Sequence, residues 1–81
     1  MNETEALVQI LEEYKRANKI YGEEHFNTLH GGIAIIREEF EELWDEIKGV
    51  QDRNDLEKEA VQLGAMALKF LVNLDRMSTK G

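Results

Sequence analysis

The stretch Arg37-Glu38-Glu39-Phe40-Glu41-Glu42-Leu43-Trp44-Asp45-Glu46 holds six carboxylates within the nine positions Glu38 to Glu46. On a helix, Glu38/Glu42, Glu39/Glu42, Glu42/Asp45 and Glu42/Glu46 are neighbours three or four residues apart, and each like-charge pair costs a few tenths of a kcal/mol. Arg37 can reach Glu41 and Lys48 can reach Asp45, but Glu42 has no base within four positions on either side. Taken alone, such a run reads as a solvated helix face. Glu59 changes that balance. It lies beside Leu63, Met66 and Phe70 on a largely apolar helix, where a carboxylate is costly unless paired or metal-bound. Gln62, Met66, Lys69 and Asn73 continue the same stripe. If the two helices pair antiparallel, Glu39, Glu42 and Glu59 converge. Oxygen ligands without His or Cys suit a hard cation, magnesium or manganese. The competing reading is an internal ion pair of Glu59 with Lys58, Lys69 or a base from a partner chain.

The elements that must position these residues are helices. The chain has 81 residues, which gives one domain spanning 1–81. Proline is absent, against an average of roughly 5%, so long uninterrupted helices are expected. Apolar residues make up 42%, enough for a folded chain. The net charge of −7 excludes a simple basic binder of nucleic-acid polymers, whose affinity comes from Lys and Arg neutralising phosphates. It leaves room for a polyanionic ligand carried in by a bridging cation. Cysteine is absent, which removes disulfides, thiolate nucleophiles and Cys-based zinc sites and fits a cytoplasmic location. No apolar run approaches the roughly 20 residues of a membrane span, and the acidic start Met1-Asn2-Glu3-Thr4-Glu5 is the opposite of a secretion signal.

Three helices are expected, at about 3–20, 32–48 and 54–76, with no strand. Asn2 followed by Glu5 forms a capping box, and Leu7, Ile10, Leu11 and Tyr14 share one face of the first helix. Residues 22–31 read as a loop. The second helix carries the stripe Ile33, Ile36, Phe40, Leu43, Trp44 and Ile47, with Trp44 in the core, and stops at Gly49 after Lys48. A short connection then favours an antiparallel neighbour. The third helix opens at Asn54 with Glu57 three residues on, and a frayed tail follows at Ser78 to Gly81. One of its faces is Leu56, Ala60, Leu63, Ala67, Phe70, Leu71 and Leu74; Val61, Ala65, Leu68 and Val72 form another. The fold expected is therefore an all-α antiparallel bundle of three helices. Its second apolar face is covered by a partner copy, making a homo-oligomer, dimer or tetramer, or by the first helix.

These motifs resemble the all-α nucleoside triphosphate pyrophosphohydrolases, the MazG-like group that includes dimeric dUTPases. That family carries Glu-x-x-Glu on one helix and Glu-x-x-Asp on the next. Glu39-Phe40-Glu41-Glu42, preceded by Glu38, matches the first pair. Glu59-Ala60-Val61-Gln62 matches the second, with Gln62 at the place of the family's aspartate. The similarity covers roughly residues 25–74, from Phe26-Asn27-Thr28-Leu29-His30 onward, and is greatest to a short phage and archaeal branch. It implies cleavage of a nucleoside triphosphate between the α- and β-phosphates, giving a monophosphate and pyrophosphate. In that reading Glu39, Glu42 and Glu59 hold magnesium, which clamps phosphate oxygens and acidifies a bound water. Gln62 completes the shell directly or through water, and Glu38 or Glu46 orients the attacking water. Lys69 is placed to meet a phosphate, with Asn73 near the base or sugar. His30, before Gly31-Gly32, is a loop-packing residue or a substrate contact.

Two other functions compete. A non-catalytic helical oligomer, acting as a scaffold or as a sensor binding nucleotide and metal, is motivated by Gln62. An acidic partner-binding module rests on net charge alone. No Walker-type phosphate loop and no Ser–His–acid set occur in the chain.

Overall fold

The computed structural model describes residues 1–22 and 26–77. Positions 23–25 of the expected loop and the expected frayed tail at 78–81 lie outside the described residues. The described chain is all-α: α1 (Glu3–Tyr21), α2 (Leu29–Lys48) and α3 (Arg53–Asn73), followed by a 3-10 turn, Leu74–Arg76. None of its helices is long and apolar enough to cross a membrane.

Helix α1 begins as its capping box dictates. The Asn2 side chain accepts from the Glu5 amide at 2.8 Å, and the Glu5 carboxylate accepts from the Asn2 amide at 3.4 Å. It ends at Gly22, whose φ of +63° is strained for any residue with a Cβ. Helix α2 starts earlier than the expected 32, at Leu29. Thr28 is its N-cap, with Oγ1 accepting from the Gly31 amide at 2.9 Å. His30 and Gly31 are thus helical. Gly32 is a packing position: a Cβ there would fall 2.8 Å from the Phe70 ring. Gly49 caps the far end of α2, its N–H donating to Asp45 and Glu46 carbonyls. Helix α3 is capped by Asp52, which accepts from the Asp55 amide at 3.1 Å, and not by the expected Asn54. Its α-helical part closes at Asn73, and the remaining turn to Arg76 tightens to 3-10.

Helix α3 packs against both other helices. Gly32 near the start of α2 meets Phe70 and Met77 near the end of α3, so these two run antiparallel. Ile10 of α1 seats against Gly64, and Gly22 at the end of α1 lies beside Lys69, so α1 runs parallel to α3. The up-down-up order follows from the short connections. Among the described residues the buried apolar set is small: Ala17, Phe26, Ala65 and Met77.

The rotation of α2 departs from its apolar pattern. Trp44, expected in the core, is 48% exposed, and Phe40 is 56% exposed. Ile33 and Ile47 share that outward stripe. The inward face instead carries Leu29, Gly32, Ile36, Glu39, Leu43 and Glu46, at three- and four-residue spacing. Burying Gly32 against Phe70 fixes this rotation and turns Glu39 and Glu46 inward. The second face of α3, expected to meet a partner copy or the first helix, meets the first helix at Val61. Ala65 is buried, Val61 shares a depression with Ala6 and Ile10 of α1, and Val72 alone of that set is exposed. The uncovered apolar residues of α3 are Val72 together with Ala60, Ala67 and Leu71, with Leu74 in the turn that follows.

Candidate functional site

Two helices bring the carboxylates together. Glu39 and Glu42 are one turn apart on α2, and the antiparallel partner α3 presents Glu59 opposite them. One oxygen from each of Glu39, Glu42 and Glu59 lies within 4.8 Å of the other two. Octahedral magnesium holds oxygens at about 2.1 Å, so its ligands lie at most about 4.2 Å apart. The three oxygens, spread over up to 4.8 Å, stand wider than that limit. In donor type the three residues fit a divalent ion, since hard oxygen donors are what magnesium or manganese takes.

Without a cation the cluster is electrostatically frustrated. Burial pushes the Glu39 carboxyl up to about 7, helped by the charge of Glu42, a hydrogen bond shared with it, and the charges of Glu59 and Glu13. Burial also raises Glu59, with a hydrogen bond to Glu42 and the Glu42 and Glu46 charges adding to it and Lys58 opposing. A proton on Glu39 therefore relieves the repulsion near neutral pH, and the upward shift of Glu59 acts in the same direction. The expected alternative, an ion pair of Glu59 with a base, is limited to this opposing charge of Lys58: the described salt bridges are Arg16–Glu13, Arg37–Glu41 and Lys48–Asp45. Lys69 gives its ammonium to the Gly22 carbonyl.

Gln62 stands one turn beyond Glu59. With its amide nitrogen turned toward the acids it donates to Glu39 Oε2 and Glu59 Oε2, both at 3.3 Å. The opposite orientation sets its oxygen against the carboxylates. The orientation with the nitrogen toward the acids is the one that satisfies both ends of the Gln62 amide.

A cavity of about 440 Å3 adjoins the cluster, bounded by Glu38, Glu39, Glu42, Gln62 and Lys69 together with Phe26 and Met66. Lys69 is 2% exposed, far from the solvent-reaching chain that its type suggests. Its ammonium bonds the Gly22 carbonyl and lies 5.1 Å from the Phe26 ring centroid. Burial lowers its pKa. Glu38 lies in the cavity wall, whereas Glu46 is half-buried on the Glu59 side. Asn73 is buried and committed locally: its amide donates to the Lys69 carbonyl at 2.8 Å, and its oxygen accepts from Arg76 at 2.5 Å. His30 is exposed in the first turn of α2 and does not line the cavity.

Helix α1 contributes residues that sequence reasoning missed. Glu13 and Arg16 line the same cavity, joined by two bonds, Nε–Oε1 at 2.8 Å and Nη2–Oε2 at 2.7 Å. In sequence they read as an ordinary i,i+3 pair. Only the parallel packing of α1 on α3 reveals their placement. Comparison with family models, with curated proteins and with solved structures yields no match to this chain.

Proposed function

We propose that this protein is a magnesium-dependent nucleoside triphosphate pyrophosphohydrolase, cleaving between the α- and β-phosphates to give a monophosphate and pyrophosphate. The observation that carries this reading is the meeting of Glu39, Glu42 and Glu59 oxygens within 4.8 Å, drawn from two helices and opposed by no direct ion pair among the described residues. A bound divalent ion supplies charge neutralisation of the polyphosphate and an acidified water. The chain's own residues do the rest. Glu39, Glu42 and Glu59 hold the ion. Glu38, in the cavity wall, is the better placed of the two candidate bases to orient water, with Glu46 the alternative. Lys69 offers a desolvated ammonium to a phosphate oxygen. The Phe26 side gives the cavity an apolar wall for the rest of the ligand.

The test is pyrophosphate release from a panel of ordinary and modified nucleoside triphosphates with magnesium. Release that disappears in Glu42→Gln and Glu59→Gln supports the reading, and no release from any nucleotide sinks it.

Gln62 favours a second reading, a nucleotide- and metal-binding sensor or helical scaffold without turnover. Its amide quiets two of the acids without adding charge, which weakens the pull on a second ion. Calorimetry separates these: a sensor binds nucleotide plus metal without product, and a scaffold binds neither. In either reading the apolar stripe Ile33, Phe40, Trp44 and Ile47 on α2, with Leu71 on α3, supports a homo-oligomer, because so small a buried core gains by covering it. A cytoplasmic location is the setting we assign, where nucleotide pools reside.

A further inference from the structure

We propose that Arg16 forms an anion subsite beside the carboxylate triad and takes the phosphate tail of the ligand bound there. The inference deepens the pyrophosphohydrolase reading and rests on it.

Charge favours such a subsite. Four carboxylates, Glu13, Glu38, Glu39 and Glu42, line the cavity and Glu59 adjoins it through the triad, against two bases, Arg16 and Lys69. One divalent ion still leaves that set negative if every acid is ionised, while a triphosphate brings several further charges. Every cation within reach then decides whether the ligand enters. Lys69 is buried with one N–H donor committed to the Gly22 carbonyl, so it supplies only part of the cationic contact.

Arg16 is placed differently. Its side chain is 52% exposed, whereas its partner Glu13 is 16% exposed. It lines both the site cavity and a second, polar groove of about 700 Å3 between α1 and α3. Glu13 and Gln62 border both as well, so Arg16 stands at the junction. Glu13 in turn is close enough for its charge to act on Glu39. Of five guanidinium N–H donors, Glu13 takes two and fixes the plane of the fork. The remaining three are free for the bidentate grip on phosphate that Arg makes and Lys does not. Glu13 is accordingly a positioning residue, holding the fork open toward the junction.

The experiment titrates inorganic tripolyphosphate with magnesium into the wild-type protein, Arg16→Gln and Arg16→Lys, and separately titrates manganese alone into each. Arg16→Gln is expected to weaken tripolyphosphate about tenfold or more, with manganese affinity unchanged or slightly tighter. Arg16→Lys keeps the charge without the fork and is expected to fall between. Tripolyphosphate bound by both variants as tightly as by the wild type overturns the subsite and leaves the metal-centre reading standing. A wild-type protein that binds neither manganese nor tripolyphosphate overturns both. Melting followed by circular dichroism checks that each variant is folded. Should Arg16→Gln not fold, Arg16→Lys decides alone, an unchanged affinity overturning the subsite and a several-fold loss supporting it.

Discussion

Glu39 and Glu59 belong to different helices, yet both have an oxygen 3.3 Å from the same end of the Gln62 amide, which donates to both in the orientation that satisfies its hydrogen bonding. That single neutral group does part of what a cation would do. Gln62→Asp removes the donor and adds a carboxylate. The metal-free variant is expected to melt lower than the wild type at pH 8, because four acids then face one another without a donor among them. Magnesium is expected to recover more of the variant's stability than of the wild type's, since binding to the folded state alone stabilises it by mass action. Melting curves with and without magnesium check both. A Gln62→Asp protein as stable without metal as the wild type would mean the Gln62 contacts are idle.

With the Glu39 carboxyl raised to about 7, a metal ion held by the proposed triad has to compete with a proton. Manganese affinity is expected to rise as pH increases from about 6 to 8, with the steepest change near the Glu39 value. Glu39→Gln is expected to bind manganese weakly and to lose most of this slope. Calorimetry at several pH values in buffers of different ionisation enthalpy reads the released proton directly. Binding that is flat across this range would remove Glu39 from the ion's ligands.

The same titration has a stability consequence of the opposite sign to the usual carboxylate. A raised acid pKa means that the folded state holds more protons than the unfolded state between the ordinary value, about 4.5, and about 7. Stability of the metal-free protein therefore falls as pH climbs through that window. Glu59, raised for related reasons, adds to the trend. The melting temperature without metal is expected to drop by several degrees from pH 5 to pH 8, and Glu39→Gln to flatten the profile. A metal-free protein that becomes more stable over this interval would contradict the electrostatics of the cluster.

Much of this arrangement is legible in the sequence, but unevenly. The α1 capping box and the Gly49 stop are local signals, and both hold in the structure. The start of α2 is not legible because His30-Gly31-Gly32 has the composition of a loop. Thr28 caps it nonetheless, and Gly32 is there because Phe70 and Met77 occupy the space of a Cβ. The α3 cap is ambiguous, since Asp52 and Asn54 are both short polar residues with an acid three positions on. The rotation of α2 runs against the hydrophobic rule. Its aromatics face outward while Glu39 and Glu46 turn inward beside Leu29, Ile36 and Leu43, so the apolar period alone does not select the stripe that meets α3. The convergence of Glu39, Glu42 and Glu59 holds all the same, because their spacing, unlike their depth, does not depend on which stripe is buried.

Close helix approach at Gly64 gives a packing prediction. A Cβ there would lie 2.9 Å from Ile10 Cδ1. Gly64→Val is expected to destabilise the protein by about 1–3 kcal/mol through overpacking. Because the obstructing atom is a side-chain end, Ile10→Ala should recover part of that loss in the double variant. Denaturant unfolding of the two single variants and the double variant measures the coupling. Strict additivity would show that α1 does not lean on α3 at this point.

Trp44 is the only tryptophan in the chain and sits half-exposed on the outward stripe of α2, which makes it a reporter of what covers that face. If a second copy does so, its emission should shift to shorter wavelength as protein concentration rises, in step with the mass seen by sedimentation. Phe40→Lys places a charge in the middle of the stripe. It is expected to abolish the shift and leave a single-chain mass, because a desolvated unpaired ammonium opposes association. Phe40 is too exposed for the same change to empty the interior of one chain, so helical content should persist. Emission and mass that stay constant, at the value for one chain, across the accessible concentrations would sink the homo-oligomer and leave this stripe facing solvent.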